Sequence, residues 1–389
     1  MDQSIASRIE QLFPEMVERR RYLHQHPELS FHEVETPNYI ASRLEELGIE
    51  VRRNVGGRGI VGTIRGGKPG KTVALRADFD ALPIQDEKTV DYRSTVPGVM
   101  HACGHDGHTA TLLAVAEVLA SQKEQLTGNV VLIHQHAEEV VPGGAREMIA
   151  DGCLDGVDVI FGTHLWSTTT LGTIGTRVGP VMAAADKFEL TLFGRGGHGA
   201  KPHETIDAVL LGATIVKELQ SIVSRRLDPL QQAVLTIGTL HAGNTFNVIA
   251  DRAQLTGTVR TFDETVAQKI VLEMERTIKG ICDAAGATYT FHYETGYPAV
   301  INDLVETRFL EAVARDVIGD TSLFEIDPTM GGEDFAYYLK EVPGTFFFTG
   351  AGDASHYPHH HPRFDFEERA MVDAAKILVE ATLRYLATR

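Results

Sequence analysis

The eight residues His101-Ala-Cys103-Gly-His105-Asp106-Gly-His108 carry a thiol, three imidazoles and a carboxylate. Neither packing nor solubility calls for that density of metal-ligand groups. A cysteine and a histidine separated by one residue do not share a helix face. On looped or extended backbone they can converge on one ion, and thiolate with imidazole suits zinc-like metals. Gly104 and Gly107 permit the tight loop this requires. The competing reading is a His-rich surface loop, which fits isolated histidines better than a cluster this dense.

Further candidates lie downstream. Glu138-Glu139 follow the apolar run that ends at His134-Gln-His136-Ala and precede the turn Gly143-Gly144. Adjacent carboxylates diverge as they leave a strand, so one can bind metal while its neighbour faces a reacting water. That division suits metal-assisted hydrolysis, in which bound water reaches a pKa of about 7 and a nearby carboxylate takes its proton. Glutamate pairs are usually solvated surface, but the apolar run before this pair argues against that reading here. His164, in Gly162-Thr-His164-Leu, would pass for an ordinary core histidine without its company. The tail Ser355-His-Tyr-Pro-His359-His360-His361-Pro362 offers four more imidazoles, stiffened by Pro358 and Pro362, one of which should complete a metal set.

Positioning these groups requires strands that end beside one another. Apolar runs over 72–77, 129–133, 157–162 and 345–348 have strand character. Helical patterns separate them, notably 109–120 with Leu112, Leu113, Ala116 and Leu119 on one side. Runs apolar on both faces that alternate with helices predict an α/β sheet covered on both faces. Each run delivers a candidate at its carboxyl end: Asp78 and Asp80, then Glu138 and Glu139, then His164, then the tail histidines. Ligands of open α/β sheets bind beyond those ends. Two helices are expected near the start, from about Ser4 and over 37–47. Between about 183 and 294 the pattern becomes strand 186–193, helix 206–224, strands 234–240 and 253–262, helix 266–284 and strand 288–293. This βαββαβ succession predicts an inserted ferredoxin-like α+β domain. The expected boundaries are therefore 1–182 and 295–389 for the metal-binding domain and 183–294 for the insert.

The chain has 389 residues, enough for two domains. With 36 basic against 53 acidic residues, its net charge of −17 argues against nucleic-acid or anionic-membrane partners. Met1-Asp2-Gln3-Ser4 begins no secretory signal and no apolar run is long enough to span a bilayer, so a cytoplasmic enzyme is expected. Three cysteines, Cys103, Cys153 and Cys282, fit a reducing compartment better than a disulfide framework.

Together with the clusters above, Arg21-Tyr-Leu-His24-Gln-His-Pro27-Glu28, Arg76-Ala-Asp78-Phe-Asp80-Ala-Leu-Pro83, Gly197-His198-Gly-Ala-Lys-Pro202-His203, Asn247-Val-Ile-Ala-Asp251, Gly331-Gly-Glu333-Asp334-Phe335 and His360-His-Pro362-Arg-Phe364 give the chain a specific resemblance. It resembles the N-acyl-amino-acid amidohydrolases, the hippurate and indole-acetyl-amino-acid hydrolase group of metallopeptidases related to carboxypeptidase G. The resemblance implies a zinc-exopeptidase-like mixed sheet, an inserted lid and dimerisation domain, and two divalent metals (zinc, manganese, cobalt or nickel). It implies Cys103, His105, Glu139, His164 and one tail histidine as ligands. The tail pattern indicates His360, although His359 and His361 flank it. Cys103 stands where related exopeptidases place a bridging aspartate. Glu138 is implied as general base and Asp80 as the residue that orients a ligand.

His198 is implied to steady the oxyanion, often in the active site of a dimer mate, against the alternative of a turn histidine without a role. Asn247, Arg260, Gly331 and Gly332 are candidates for gripping the substrate carboxylate, although Arg260 reads equally well as a strand surface residue. Ala250 and Gly332 depart from the proline and serine common in the family, which leaves specificity open rather than reaction type. The expected partners are a small N-acyl amino acid and a second copy of the chain. A dipeptidase or aminopeptidase is the alternative within the class, and a non-catalytic metal-binding module the alternative outside it.

Overall fold

The computed structural model describes residues 1–388. The chain forms two compact units, one of residues 1–181, 300–327 and 334 onward, the other of residues 182–299 and 328–333.

In the first unit, helices α1 (Gln3–Gln11), α2 (Phe13–Gln25) and α3 (Glu35–Glu46) precede strands β1 (Glu50–Val55), β2 (Gly59–Arg65) and β3 (Lys68–Asp78). Asp2 caps α1 by accepting from the Ser4 amide at 2.7 Å. Helix α4 (His105–Ser121) follows, then β4 (Thr127–Gln135), α5 (Ala145–Ala150), β5 (Val159–Thr170), β6 (Ile174–Thr176) and β7 (Gly179–Met182). Helix α4 is buried almost all round, because 12 of its 17 residues are apolar, glycine or threonine and it is enclosed by other elements rather than facing water on one side.

The second unit contains β8 (Ala184–Phe193), β9 (Gly197–His198), α6 (Ala208–Arg225), β10 (Ala233–Ala242), β11 (Val248–Ile249), β12 (Arg252–Thr261), α7 (Glu264–Ala285) and β13 (Thr288–Tyr297). Its four-stranded antiparallel sheet has the order β10-β12-β8-β13. Strand β8 alternates buried and exposed side chains, the mark of a sheet with one covered face. Phe188, Leu190 and Leu192 from that face pack with Leu211, Ile215 and Leu219 of α6 and Ile270, Met274 and Ile278 of α7 in one core. Asp207 and Asp263 cap the two helices through their side chains.

The chain returns to the first unit through β14 (Val300–Asn302), α8 (Leu304–Ile318), β15 (Leu323–Glu325), α9 (Ala336–Glu341), β16 (Gly344–Gly352) and α10 (Ala370–Thr388). The main sheet is mixed and eight-stranded, in the order β1-β2-β4-β3-β5-β16-β6-β15. Strands β4, β3, β5 and β16 run parallel at its centre. Strand β3 connects to β4 on one side, and the chain then crosses to β5 on the other. The sheet therefore switches direction between β3 and β5, where ligand crevices form in such sheets. Two features differ from the sequence expectation: a third helix, α2, stands between the two expected near the start, and His164 lies inside β5 rather than at its end. Pairing of β5 with β3 ends at Arg76–Gly162, while β5 continues alongside β16 through Trp166 and Thr170, so His164 stands where the two neighbours part. Among the described residues, no helix is long and apolar enough to cross a membrane.

Candidate active site

Beyond the carboxyl ends of β3 and β4, where β3 and β5 part, the first unit gathers the sulfur, nitrogen and oxygen donors singled out above. Cys103 leads into α4 through Gly104, whose φ of 99° suits only a residue without a Cβ. That turn frees Cys103 from helical geometry while His105 begins the helix. The Cys103 Sγ lies 3.4 Å from His164 Nε2. His105 Nδ1 donates to the backbone oxygen of Asp80 at 3.0 Å and to its Oδ1 at 3.1 Å, which leaves Nε2 facing the other donors. Buried Nε2 has no hydrogen-bond partner and lies 3.8 Å from Glu139 Oε1, which is buried and equally unpartnered. Asp80 Oδ2 accepts from Ser30 Oγ at 2.6 Å and from the Glu139 amide at 3.0 Å, tying the end of β3 to the glutamate pair.

The three tail histidines take different places. His360 adopts φ 65° and its amide donates to Ala102 O at 2.8 Å, which puts its Nε2 at 3.3 Å from Glu139 Oε2. His359 Nε2 donates to Leu165 O at 3.1 Å, and the His361 ring stacks on Tyr357 at 4.3 Å. Donor atoms within 4.8 Å of one another form the sets Cys103–His105–His164, Cys103–Glu139–His360 and His105–Glu138–Glu139.

The electrostatics of the cluster suit a cation. Burial, followed by the carboxylates of Glu139, Glu138 and Asp78, pushes the Cys103 thiol well above its ordinary pKa. Burial opposes charge on His105, but Asp78, Asp80 and Glu139 prevail and raise it to about 10. Burial and the imidazoles of His108 and His359 hold His164 well below its usual value. Burial works against ionised Asp80 too, yet the hydrogen bonds from His105, Ser30 and the Glu139 amide keep it below the usual carboxylate range. Thiol, imidazole and carboxylate crowded together, with unpartnered donors 3.8 Å apart, are the donor chemistry of a divalent-metal centre.

Beneath the donors lies a network that takes up Asp78 and His108, both metal-ligand candidates from the sequence, in hydrogen bonds. His108 Nδ1 donates to Asp78 Oδ1 at 2.6 Å, while its Nε2 accepts from the Leu165 amide at 2.9 Å. His108 is thereby saturated and fixes the backbone beside His164. Arg76 bridges Asp78 at 2.6 Å and Asp334 at 2.9 Å, and Gln135 joins Arg76 and Asp334. On the other side of α4, His24 Nδ1 and Arg20 Nε meet one oxygen of Asp106 at 2.7 and 2.9 Å. The available signal was an arginine inside an otherwise apolar strand run and an aspartate at the start of an apolar helix.

The remaining candidates belong to the second unit. His198 pairs with Val248 between β9 and β11, and its Nδ1 accepts from the Ala200 amide at 3.0 Å. The Gly199 amide donates to Asn247 O at 2.9 Å, so the His198 and Asn247 loops adjoin. Arg260, on β12, is half-buried beside Gly332: a Cβ on Gly332 would lie 3.4 Å from the guanidinium and 2.9 Å from Ala185 Cβ. The Gly331 carbonyl accepts from the Ala183 amide at 3.0 Å.

Residues 74–384 match the peptidase family M20/M25/M40. The protein YhaA of Bacillus subtilis (strain 168) is 57% identical over 388 residues, covering 99% of this chain and 98% of its own. The N-acyl-L-amino acid amidohydrolase of Geobacillus stearothermophilus is 47% identical over 295 residues, 76% of this chain and 80% of its own. Among solved structures, the Bacillus subtilis YXEP protein, described as a dinuclear metal binding peptidase from the M20 family, superposes with a TM-score of 0.86. It is 36% identical, with 98% of this chain and 99% of that one covered. The fold, the donor cluster and the extent of these matches together place the chain in the M20/M25/M40 peptidase family and make it a metal-dependent hydrolase.

Proposed function

We propose that this hydrolase cleaves the amide bond of N-acyl amino acids, releasing a carboxylic acid and a free amino acid, at a centre for two divalent cations. The observation that carries the reading is that two donor sets, Cys103–His105–His164 and Cys103–Glu139–His360, share one thiol. We assign these five residues as ligands, with Cys103 common to both ions. Mixed thiolate, imidazole and carboxylate donors suit zinc, manganese, cobalt or nickel. When bound, such cations acidify water and polarise a carbonyl.

The chain's own residues divide the remaining work. Glu138 takes a proton from the attacking water and passes it to the nitrogen that leaves, so that water and amide become acid and amine. Asp80 holds His105 in the tautomer that points Nε2 at the cation. His198, its Nδ1 occupied by the Ala200 amide, has Nε2–H to donate to the oxygen that becomes negative. Asn247, Arg260 and the backbone at Gly331 and Gly332 bind the substrate carboxylate. Support for Arg260 comes from its half-buried guanidinium beside the side-chain-free Gly332.

We assign the second unit, expected from the sequence over 183–294 and extending in the structure over 182–299 and 328–333, as a ferredoxin-like lid and dimerisation domain, and the enzyme as a cytoplasmic homodimer. Phe246, 98% exposed beside Asn247 in the loop that adjoins the His198 turn, is the apolar side chain we assign to that association. The test of the reaction is a hydrolysis panel of N-acetyl and N-benzoyl amino acids against dipeptides, each with metal-reconstituted protein. Preference for acylated substrates is expected, and preference for free amino termini would replace the assignment with a dipeptidase.

A further inference from the structure

Glu138 and Glu139 hang on a stretch of backbone that would not take its shape unaided. Ala137 has φ 51°, a left-handed conformation that a Cβ disfavours. Three hydrogen bonds hold it there. The Ala137 amide donates to Glu33 Oε1 at 2.9 Å, the Glu139 amide to Asp80 Oδ2 at 3.0 Å, and the Gly144 amide to Ala137 O at 3.1 Å. Asp80 already serves His105, and Gly144 only closes the loop. Glu33 is different: it is completely buried, it comes from 104 residues away in the sequence, and its other oxygen has no hydrogen-bond partner.

The segment that carries Glu33 is itself rigid. The Glu28 carboxylate accepts from the amides of Val34, Glu35 and Thr36 at 2.8 to 3.0 Å, and the Arg58 guanidinium donates to the Glu33 carbonyl. The other carboxylate oxygen of Glu33 faces Arg58 Nε at 4.0 Å, beyond hydrogen-bond reach, so the direct side-chain hydrogen bond of this buried carboxyl group goes to the strained Ala137 amide, which packing alone does not explain.

We propose that Glu33 is a positioning residue: it holds the 137–139 turn in its left-handed form and thereby sets where the Glu138 and Glu139 carboxylates stand. The inference rests on the reading of Glu138 as base and Glu139 as ligand. Glu33 acts through the backbone and contacts neither substrate nor metal.

The test measures manganese affinity of full-length protein by equilibrium dialysis with elemental analysis, alongside kcat and KM for an N-acetyl amino acid. Glu33→Ala removes the acceptor and is expected to weaken manganese binding and lower kcat by about 10- to 100-fold each, the usual effect of losing a group that orients a ligand. KM should stay nearly constant. Glu33→Gln keeps an oxygen for the Ala137 amide and should retain most of both properties. Adding Ala137→Gly to Glu33→Ala should recover most of the loss, because glycine takes the left-handed form without penalty. Wild-type-like affinity and kcat in Glu33→Ala would overturn the proposal, as would a loss that Ala137→Gly leaves untouched. If Glu33→Ala fails to fold, Ala137→Val strains the same turn with Glu33 intact: weakened manganese binding supports the role and unchanged binding refutes it. A wild-type protein that binds manganese but cleaves no N-acyl amino acid would sink the functional reading, while the affinity measurements would still judge Glu33.

Discussion

Glu138 and Glu139 are neighbours in sequence with separate assignments, and Glu138→Gln separates them experimentally. Turnover should fall by about 10²- to 10⁴-fold, the contribution of a positioned general base, with the metal content of the wild type retained by elemental analysis. Loss of metal in that variant would move Glu138 into the ligand set. Glu33 gives a prediction in pH. Burial and the charge of Asp80 push its carboxyl up from 4.5 to about 8. A folded value above the unfolded one means that its stabilising contribution is whole below about pH 4.5 and disappears as pH rises through about 8. Thermal melts between pH 5 and 8.5 should therefore decline in the wild type and decline less in Glu33→Gln. Parallel curves would show that Glu33 does not titrate in this range. At this scale the donor types were legible from spacing, because few other roles collect Cys, His and Glu so densely. The tail was not resolved by residue type: His359, His360 and His361 are alike in the sequence, and only the backbone turn at His360, anchored on Ala102, separates them. The saturation of His108 by Asp78 and the Leu165 amide was hidden for the same reason, since a pattern reports a histidine but not its partners.

The elements explain why those donors meet. Parallel strands β3, β4, β5 and β16 end or diverge on one side of the sheet, and α4 starts there with His105 as its first residue. Gly107, in the first turn of α4, seals that arrangement: a Cβ there would lie 2.5 Å from Phe366 Cζ and 2.7 Å from Leu165 Cδ1. Gly107→Ala must displace the buried Phe366 ring and the Leu165 side chain, and α4 with them where they cannot yield. It should destabilise the protein by about 1–3 kcal/mol, as overpacked cores do, and weaken metal binding by separating His105 from His164. Denaturant unfolding and metal titration check the two effects, and a variant with normal values for both would mean that the helix and strand adjust independently of the site. The central runs were readable because strands buried on both faces are apolar throughout. Helix α2 was not, because its buried side includes Arg19, Arg20 and His24, whose charges and polar atoms are matched by Glu117, Asp106 and Asp365 rather than by apolar neighbours. Ion pairing conceals such a helix from any search for an apolar stripe.

Across the whole molecule, composition excluded more than it identified. A net charge of −17 says little about which small anion the enzyme takes but disfavours polyanionic partners. The long strands and helices of the second unit were readable because alternating strands and amphipathic helices each keep one apolar face, whereas the two-residue strands β9 and β11 carry no such pattern. Sedimentation of the metal-loaded protein should give a dimer, and Phe246→Glu should shift it toward monomer. A wild-type monomer at micromolar concentration would remove the dimerisation role. The most direct test of the central claim is the release of free amino acid from an N-acyl amino acid by apo protein titrated with manganese or zinc. Activity should rise with metal and level off near two ions per subunit, and Cys103→Ala should abolish the plateau. Full metal occupancy without cleavage, or cleavage indifferent to metal, would contradict it.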